Sequence, residues 1–176
     1  MKPSYIMIHH TAVSYDKLAD QFIANNNYHK AQWNFKSSLG YYLGYNYEIA
    51  KNGKVYKARE EGEQTAAAYQ SDMNNGQCVH IALDGNFDIE KPAPAQIYAL
   101  RDLMRDIVKR HDIKKQNIVF HRDYANKSCP GGNIEIGFIQ SLSFPNETPQ
   151  DAPALSDIKE RIIKLVQELL DLVKKL

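Results

Sequence analysis

Three short apolar runs constrain this chain most: Tyr5–His10, Cys78–Leu83 and Asn117–Phe120, each one strand long. The first reads as a buried strand, the second is closed by Asp84-Gly85-Asn86, and the third delivers His121 to its end. Between the second and third, Pro94 opens a helix through about Arg110, with Ile97, Leu100, Leu103, Met104, Ile107 and Val108 at helical spacing. Ser14 is a candidate N-cap for an earlier helix carrying Leu18, Phe22 and Ile23, which Asn25-Asn26-Asn27 would end. Tyr45–Ala50 and Lys54–Ala58 flank Asn52-Gly53, a strong hairpin signal. Strands alternating with helices, with one hairpin inside, predict an α/β fold: a mixed central β-sheet flanked by helices.

The domain so defined runs over residues 1–142. Residues 143–154 hold three prolines among polar residues and read as a linker. Over 155–176, Leu155, Ile158, Ile162, Leu165, Leu169, Leu172 and Leu176 follow alternating three- and four-residue steps, which predicts a C-terminal amphipathic helix roughly 33 Å long. A helix that short is marginal alone. It docks on its own domain, makes a homo-oligomer through Leu155–Leu176, or lies on a membrane surface.

The 22 lysines and arginines balance 21 acids, which gives no electrostatic case for nucleic acid as a partner. No run approaches the ~20 apolar residues of a membrane span, and the N-terminus lacks the long apolar stretch of a secretory signal. The expectation is a chain that is cytoplasmic at synthesis. Two cysteines, Cys78 and Cys129, do not make a disulfide scaffold, although they could form one bridge.

The chemistry concentrates in His121-Arg122-Asp123-Tyr124-Ala125-Asn126-Lys127-Ser128-Cys129-Pro130, which puts an imidazole, a thiol and an ammonium on one loop. His9 and His10 end the first strand and point to opposite faces, so only one of them can join His121 and Cys129. Two histidines and a cysteine are ligands zinc prefers, and three protein ligands with one open position describe a catalytic site. Lys127, two residues from Cys129, is placed to stabilise an oxyanion. Two readings compete on the residues alone: a cysteine hydrolase with Cys129 as nucleophile and His121 as base, and a closed structural zinc site with Cys78 as fourth ligand.

These residues resemble the zinc-dependent N-acetylmuramoyl-L-alanine amidases, whose fold phage endolysins share with peptidoglycan recognition proteins. Ile8-His9-His10-Thr11-Ala12 matches the family's first motif, Gly44-Tyr45-Asn46-Tyr47 through Asn52-Gly53 the second, and His121, Lys127, Cys129 and Pro130 the third. Gly85-Asn86-Phe87 is similar to the recognition-protein branch. The resemblance implies zinc held by His9, His121 and Cys129, with Tyr45 and Lys127 catalytic. It implies peptidoglycan as substrate, cut at the amide between the lactyl group of N-acetylmuramic acid and L-alanine, and an endolysin acting on the cell wall after release. It leaves a non-catalytic peptidoglycan-binding module as the alternative. Tyr45, Lys127 and Glu48, in that order, are candidates for moving the proton to the leaving amine. The sequence departs from the pattern at His80, where glycine is common; it reads as a strand residue packed under or beside the site.

Overall fold

The computed structural model describes residues 1–68, 71–144, 163–164 and 166–167. Its strands are β1 (Tyr5–His10), β2 (Tyr47–Ile49), β3 (Val55–Lys57), β4 (Cys78–Leu83) and β5 (Ile118–Phe120). Its helices are α1 (Phe22–Trp33), α2 (Pro94–His111) and α3 (Ile136–Ser143). The five strands form one sheet in the order β3-β2-β4-β1-β5. β2, β4, β1 and β5 run parallel, and β3 is antiparallel at the edge beside β2. The mixed sheet flanked by helices is the architecture the sequence predicts.

Side-chain alternation gives the sheet two different faces. Ile6 and Ile8 of β1, Val79, Ile81 and Leu83 of β4, and Tyr47 and Ile49 of β2 pack with Leu100, Met104 and Ile107 of α2 and Ile139 of α3. This is the main apolar core. The opposite face carries Met7 and Cys78, packed with Ala68 and Met73. The strand register also puts His9, His80 and Glu48 on it, all fully buried. An apolar face opposite a face with buried polar groups is the layout of a sheet with its core on one side and its chemistry on the other.

Local signals locate most elements. α2 begins at Pro94, whose missing N–H costs nothing in a first turn, and ends with Asp112 in the left-handed region after Lys109, Arg110 and His111. The hairpin turn closes with the Gly53 N–H donating to Ala50 O at 2.8 Å. Gly53 takes φ +86°, and a Cβ there would lie 2.7 Å from Ala95 O.

The first helix differs from the expectation. Ser14 accepts a hydrogen bond from the Asp16 N–H at 3.3 Å in a turn, and α1 starts eight residues later at Phe22. The Gln21 N–H at its entrance donates to Asp84 Oδ2 at 2.7 Å, so the start is set by a residue from the end of β4. Asn25, Asn26 and Asn27 lie inside α1. Two of them bond to other elements: Asn25 Nδ2 donates to Glu48 Oε1 at 3.1 Å, and the Tyr42 N–H donates to Asn26 Oδ1 at 2.7 Å. Tertiary partners here override a weak helix propensity. α3 gave no sequence signal because its eight residues are fewer than the window over which helical periodicity is read; Gln140 Nε2 ties it to Ile118 O at 3.1 Å.

The chain divides into two units, Met1–Phe144 and Pro145–Leu176. The expected linker and C-terminal helix fall almost wholly outside the described residues. Ile163, Lys164, Val166 and Gln167 are helical and exposed. Among the described residues no helix is long and apolar enough to cross a membrane.

Candidate metal centre

The C-terminal edge of a parallel sheet is where chemistry collects in α/β folds. β1 and β5 are neighbours there, so His9 near the end of β1 and His121 just after β5 meet, with ring centroids 4.7 Å apart. Cys129 returns on the following loop. One ligand atom each from His9, His121 and Cys129 lie within 4.8 Å of one another, and all three residues are buried. His10 points the other way: its Nδ1 accepts the Phe87 N–H at 3.1 Å, on the core face. The structure thus separates the two adjacent histidines by their faces.

The two histidine donors are in the protonation state a cation needs, and the cysteine gives up its proton on binding. Burial holds the His9 imidazole well below its ordinary pKa, with further lowering from His80, His121 and His10. Burial also lowers His121, with Lys127 and His10 adding to it. Both rings are therefore neutral, with a lone pair to give. The Nε2 atom of His121 is buried with no hydrogen-bond partner. An orphaned buried nitrogen is costly unless something fills the position. Burial pushes the Cys129 thiol up to about 11, and its sulfur accepts the His10 N–H at 3.4 Å. Two imidazoles and a sulfur, one nitrogen orphaned, fit a borderline-soft divalent ion such as zinc.

The loop carrying Lys127 and Cys129 is held in place by residues the sequence reading did not single out. Arg122 donates from Nη1 to Gly131 O at 2.9 Å and from Nη2 to Ile134 O at 3.2 Å, and its backbone N–H donates to Cys129 O at 2.8 Å. Asp88 accepts from Ser128 Oγ at 2.7 Å and from the Gly132 N–H at 3.1 Å. Neither residue lies in a periodic pattern that would have marked it. A cleft of about 550 Å³ opens over the centre, lined by Ala12, Tyr45, His121, Asn126, Lys127 and Cys129 among others. Tyr45 and Lys127, which the sequence places 82 positions apart, flank it together. The Tyr45 ring lies 5.1 Å from that of His9, and burial, then Cys129 and Glu48, raise its phenol far above the ordinary value. The Tyr45 phenol therefore stays protonated near neutral pH.

The family model for N-acetylmuramoyl-L-alanine amidase matches residues 1–132. The chain belongs to the N-acetylmuramoyl-L-alanine amidase family. It is 33% identical over 133 residues to peptidoglycan-recognition protein SC2 of Drosophila simulans, covering 74% of this chain and 70% of that relative. The amidase LysC of Clostridium intestinale superposes with a TM-score of 0.65 at 26% identity, over 80% of this chain and 85% of that one. The Ph2119 endolysin, from a Thermus scotoductus bacteriophage, shares the fold with a TM-score of 0.64 at 22% identity, over 81% and 86%.

Two alternatives left open by the sequence close here, and one candidate is corrected. Both cysteines are free, so no Cys78–Cys129 bridge forms. Cys78 is packed with Met7, Ala68 and Met73 and is absent from the ligand group, which removes it as a fourth ligand. Glu48 does not line the cleft; it is fully buried. Burial and the neighbouring Asp84 carboxyl raise its pKa well above the carboxylate range. Glu48 Oε2 and Asp84 Oδ1 are both buried and otherwise unpartnered, as befits two acids sharing a proton. Buried away from the cleft, Glu48 does not reach a leaving amine there, which removes it as the proton donor.

Proposed function

We propose that this protein is a zinc-dependent N-acetylmuramoyl-L-alanine amidase that hydrolyses the amide between the lactyl group of N-acetylmuramic acid and L-alanine in peptidoglycan. The observation that carries the reading is the buried His9–His121–Cys129 group, with its orphaned nitrogen, under a cleft that Tyr45 and Lys127 share. Zinc held by these three residues supplies Lewis acidity, polarising a carbonyl and acidifying water. The protein's own groups do the rest. His9 and Cys129 are too buried to meet substrate directly, while Lys127 is exposed at the cleft and its ammonium can approach the carbonyl oxygen as negative charge develops. The Tyr45 hydroxyl, held protonated, donates to the same oxygen or orients the attacking water. Tyr45 and Lys127, the two candidates that line the cleft, remain to pass a proton to the leaving amine.

A thiol nucleophile is disfavoured on the same geometry. The Cys129 thiol sits at about 11, so almost none of it is thiolate near neutrality, and it is only 7% exposed. An endolysin role is supported by solved relatives that are phage or clostridial endolysins. The deciding experiment measures new L-alanine amino termini released from purified cell wall, with chelator and after zinc is restored. Release that stops with chelator and returns with zinc is expected. Tight wall binding with no release would instead make the protein a non-catalytic recognition module, and chelator-resistant release would remove the metal.

A further inference from the structure

A second histidine on the site face, His80, has no part in the ligand group, yet it is fully buried against His9. His80 Nδ1 lies 3.0 Å from His9 Nε2, and His80 Nε2 lies 3.1 Å from Met73 O. A carbonyl oxygen can only accept. His80 must therefore carry its proton on Nε2, which leaves Nδ1 as a lone pair. That lone pair can only accept from His9, so His9 must carry its proton on Nε2 as well. The remaining His9 nitrogen, Nδ1, is then bare, and it is the one facing Cys129 Sγ at 3.8 Å.

We infer that His80 is a positioning residue that, through the Met73 carbonyl, locks His9 in the tautomer whose Nδ1 lone pair faces the metal position. The anchor of this relay is itself hydrogen-bonded. Met73 lies in the turn Asp72–Asn74, where Ser71 Oγ accepts the Met73 N–H at 3.2 Å. Asn74 Oδ1 accepts from Thr65 Oγ1 at 3.1 Å, from the Ala67 N–H at 3.1 Å and from the Ala68 N–H at 3.0 Å. From the other side, the His80 N–H donates to Asn46 Oδ1 at 2.8 Å, which fixes the strand position from which the ring projects. Partners of this kind orient metal-bound histidines and raise their basicity, and losing them costs roughly 10–100-fold in metal affinity.

The inference rests on the metal reading above, and two measurements separate their failures. In the metal-free protein, long-range ¹⁵N–¹H correlation of the imidazoles reads the tautomers directly. His9 and His80 are both expected as Nε2–H forms, and His80→Ala is expected to leave His9 as a mixture. A His9 Nδ1–H form in the parent protein overturns the relay whether or not metal binds. Metal affinity is then measured with Zn²⁺ and Co²⁺ in competition with a chromophoric chelator. His80→Ala should weaken both by 10–100-fold and shift the Co²⁺ absorption bands. His80→Gln, which keeps an acceptor and a donor, should recover most of the loss while remaining folded. Equal affinity and equal bands in His80→Ala and the parent overturn the inference. A parent that binds neither ion refutes the metal reading, and the tautomer measurement then judges the relay by itself.

Discussion

At the residue scale, each side chain around the cleft is given a different role by burial. Cys129 and Lys127 are two positions apart, yet one is 7% exposed and the other is on the surface. On the proposed function, Lys127 serves the reaction rather than the metal. Lys127→Ala should keep metal content at the parent level and lower kcat by roughly 10²–10³-fold, the cost of an oxyanion partner; Tyr45→Phe should behave alike, with a loss nearer ~10². Metal content by elemental analysis beside the amino-terminus release assay checks both, and unchanged turnover would remove the residue from the mechanism. Cys129 gives a pH signature. Its thiol is held at about 11, whereas His9 and His121 are already neutral. Binding must release the thiol proton and no other ligand proton, so metal affinity should rise about tenfold per pH unit between roughly 7 and 8. A flat profile would mean the sulfur is not a ligand.

At the element scale, the loop after β5 decides whether Cys129 and Lys127 arrive where they are needed. Its tightest point is Gly131. A Cβ there would sit 2.4 Å from the Phe87 carbonyl carbon, and φ is +105°. Gly131→Ala should destabilise the protein by more than about 1 kcal/mol and weaken metal binding as well, since the contact between this loop and the one after β4 shares a segment with the ligand. Denaturant midpoint and metal titration on the same variant read both effects; a stability loss with unchanged affinity would show that the loop adapts independently of the ligand. α1 teaches a related lesson. Its start is set by Asp84 and its asparagines by Glu48 and Tyr42, so its limits depend on elements that the local sequence does not contain.

At the scale of the whole molecule, Glu48 and Asp84 form the least ordinary contact, two acids buried together between β2, β4 and the start of α1. Both pKa values are raised, by burial first. A carboxyl raised in the folded state binds more protons there than in the unfolded chain, so its contribution to stability falls as pH rises above the ordinary carboxylate range of about 4. The buried neutral histidines act oppositely, which is why the difference between variants is the useful readout. Glu48→Gln should gain stability over the parent as pH rises from about 4 to 7 in urea titrations; a constant difference would show that no proton is shared. The sequence by itself determined the alternating strands and helices, the hairpin at Asn52-Gly53, the extent of α2, and the residues His9, Tyr45, His121, Lys127 and Cys129 as candidates. Those are carried by local periodicity, turn chemistry and short motifs, which a window of residues contains. The choice of His9 over His10 came from the family resemblance and the structure agrees with it, but only the tertiary structure decided that Arg122 and Asp88 hold the loop, that Glu48 is buried with an acid, and that His80 reaches His9 across 71 positions. Each of these is a hydrogen bond or a burial between segments remote in the chain, and no local pattern encodes a partner that arrives only when the sheet closes.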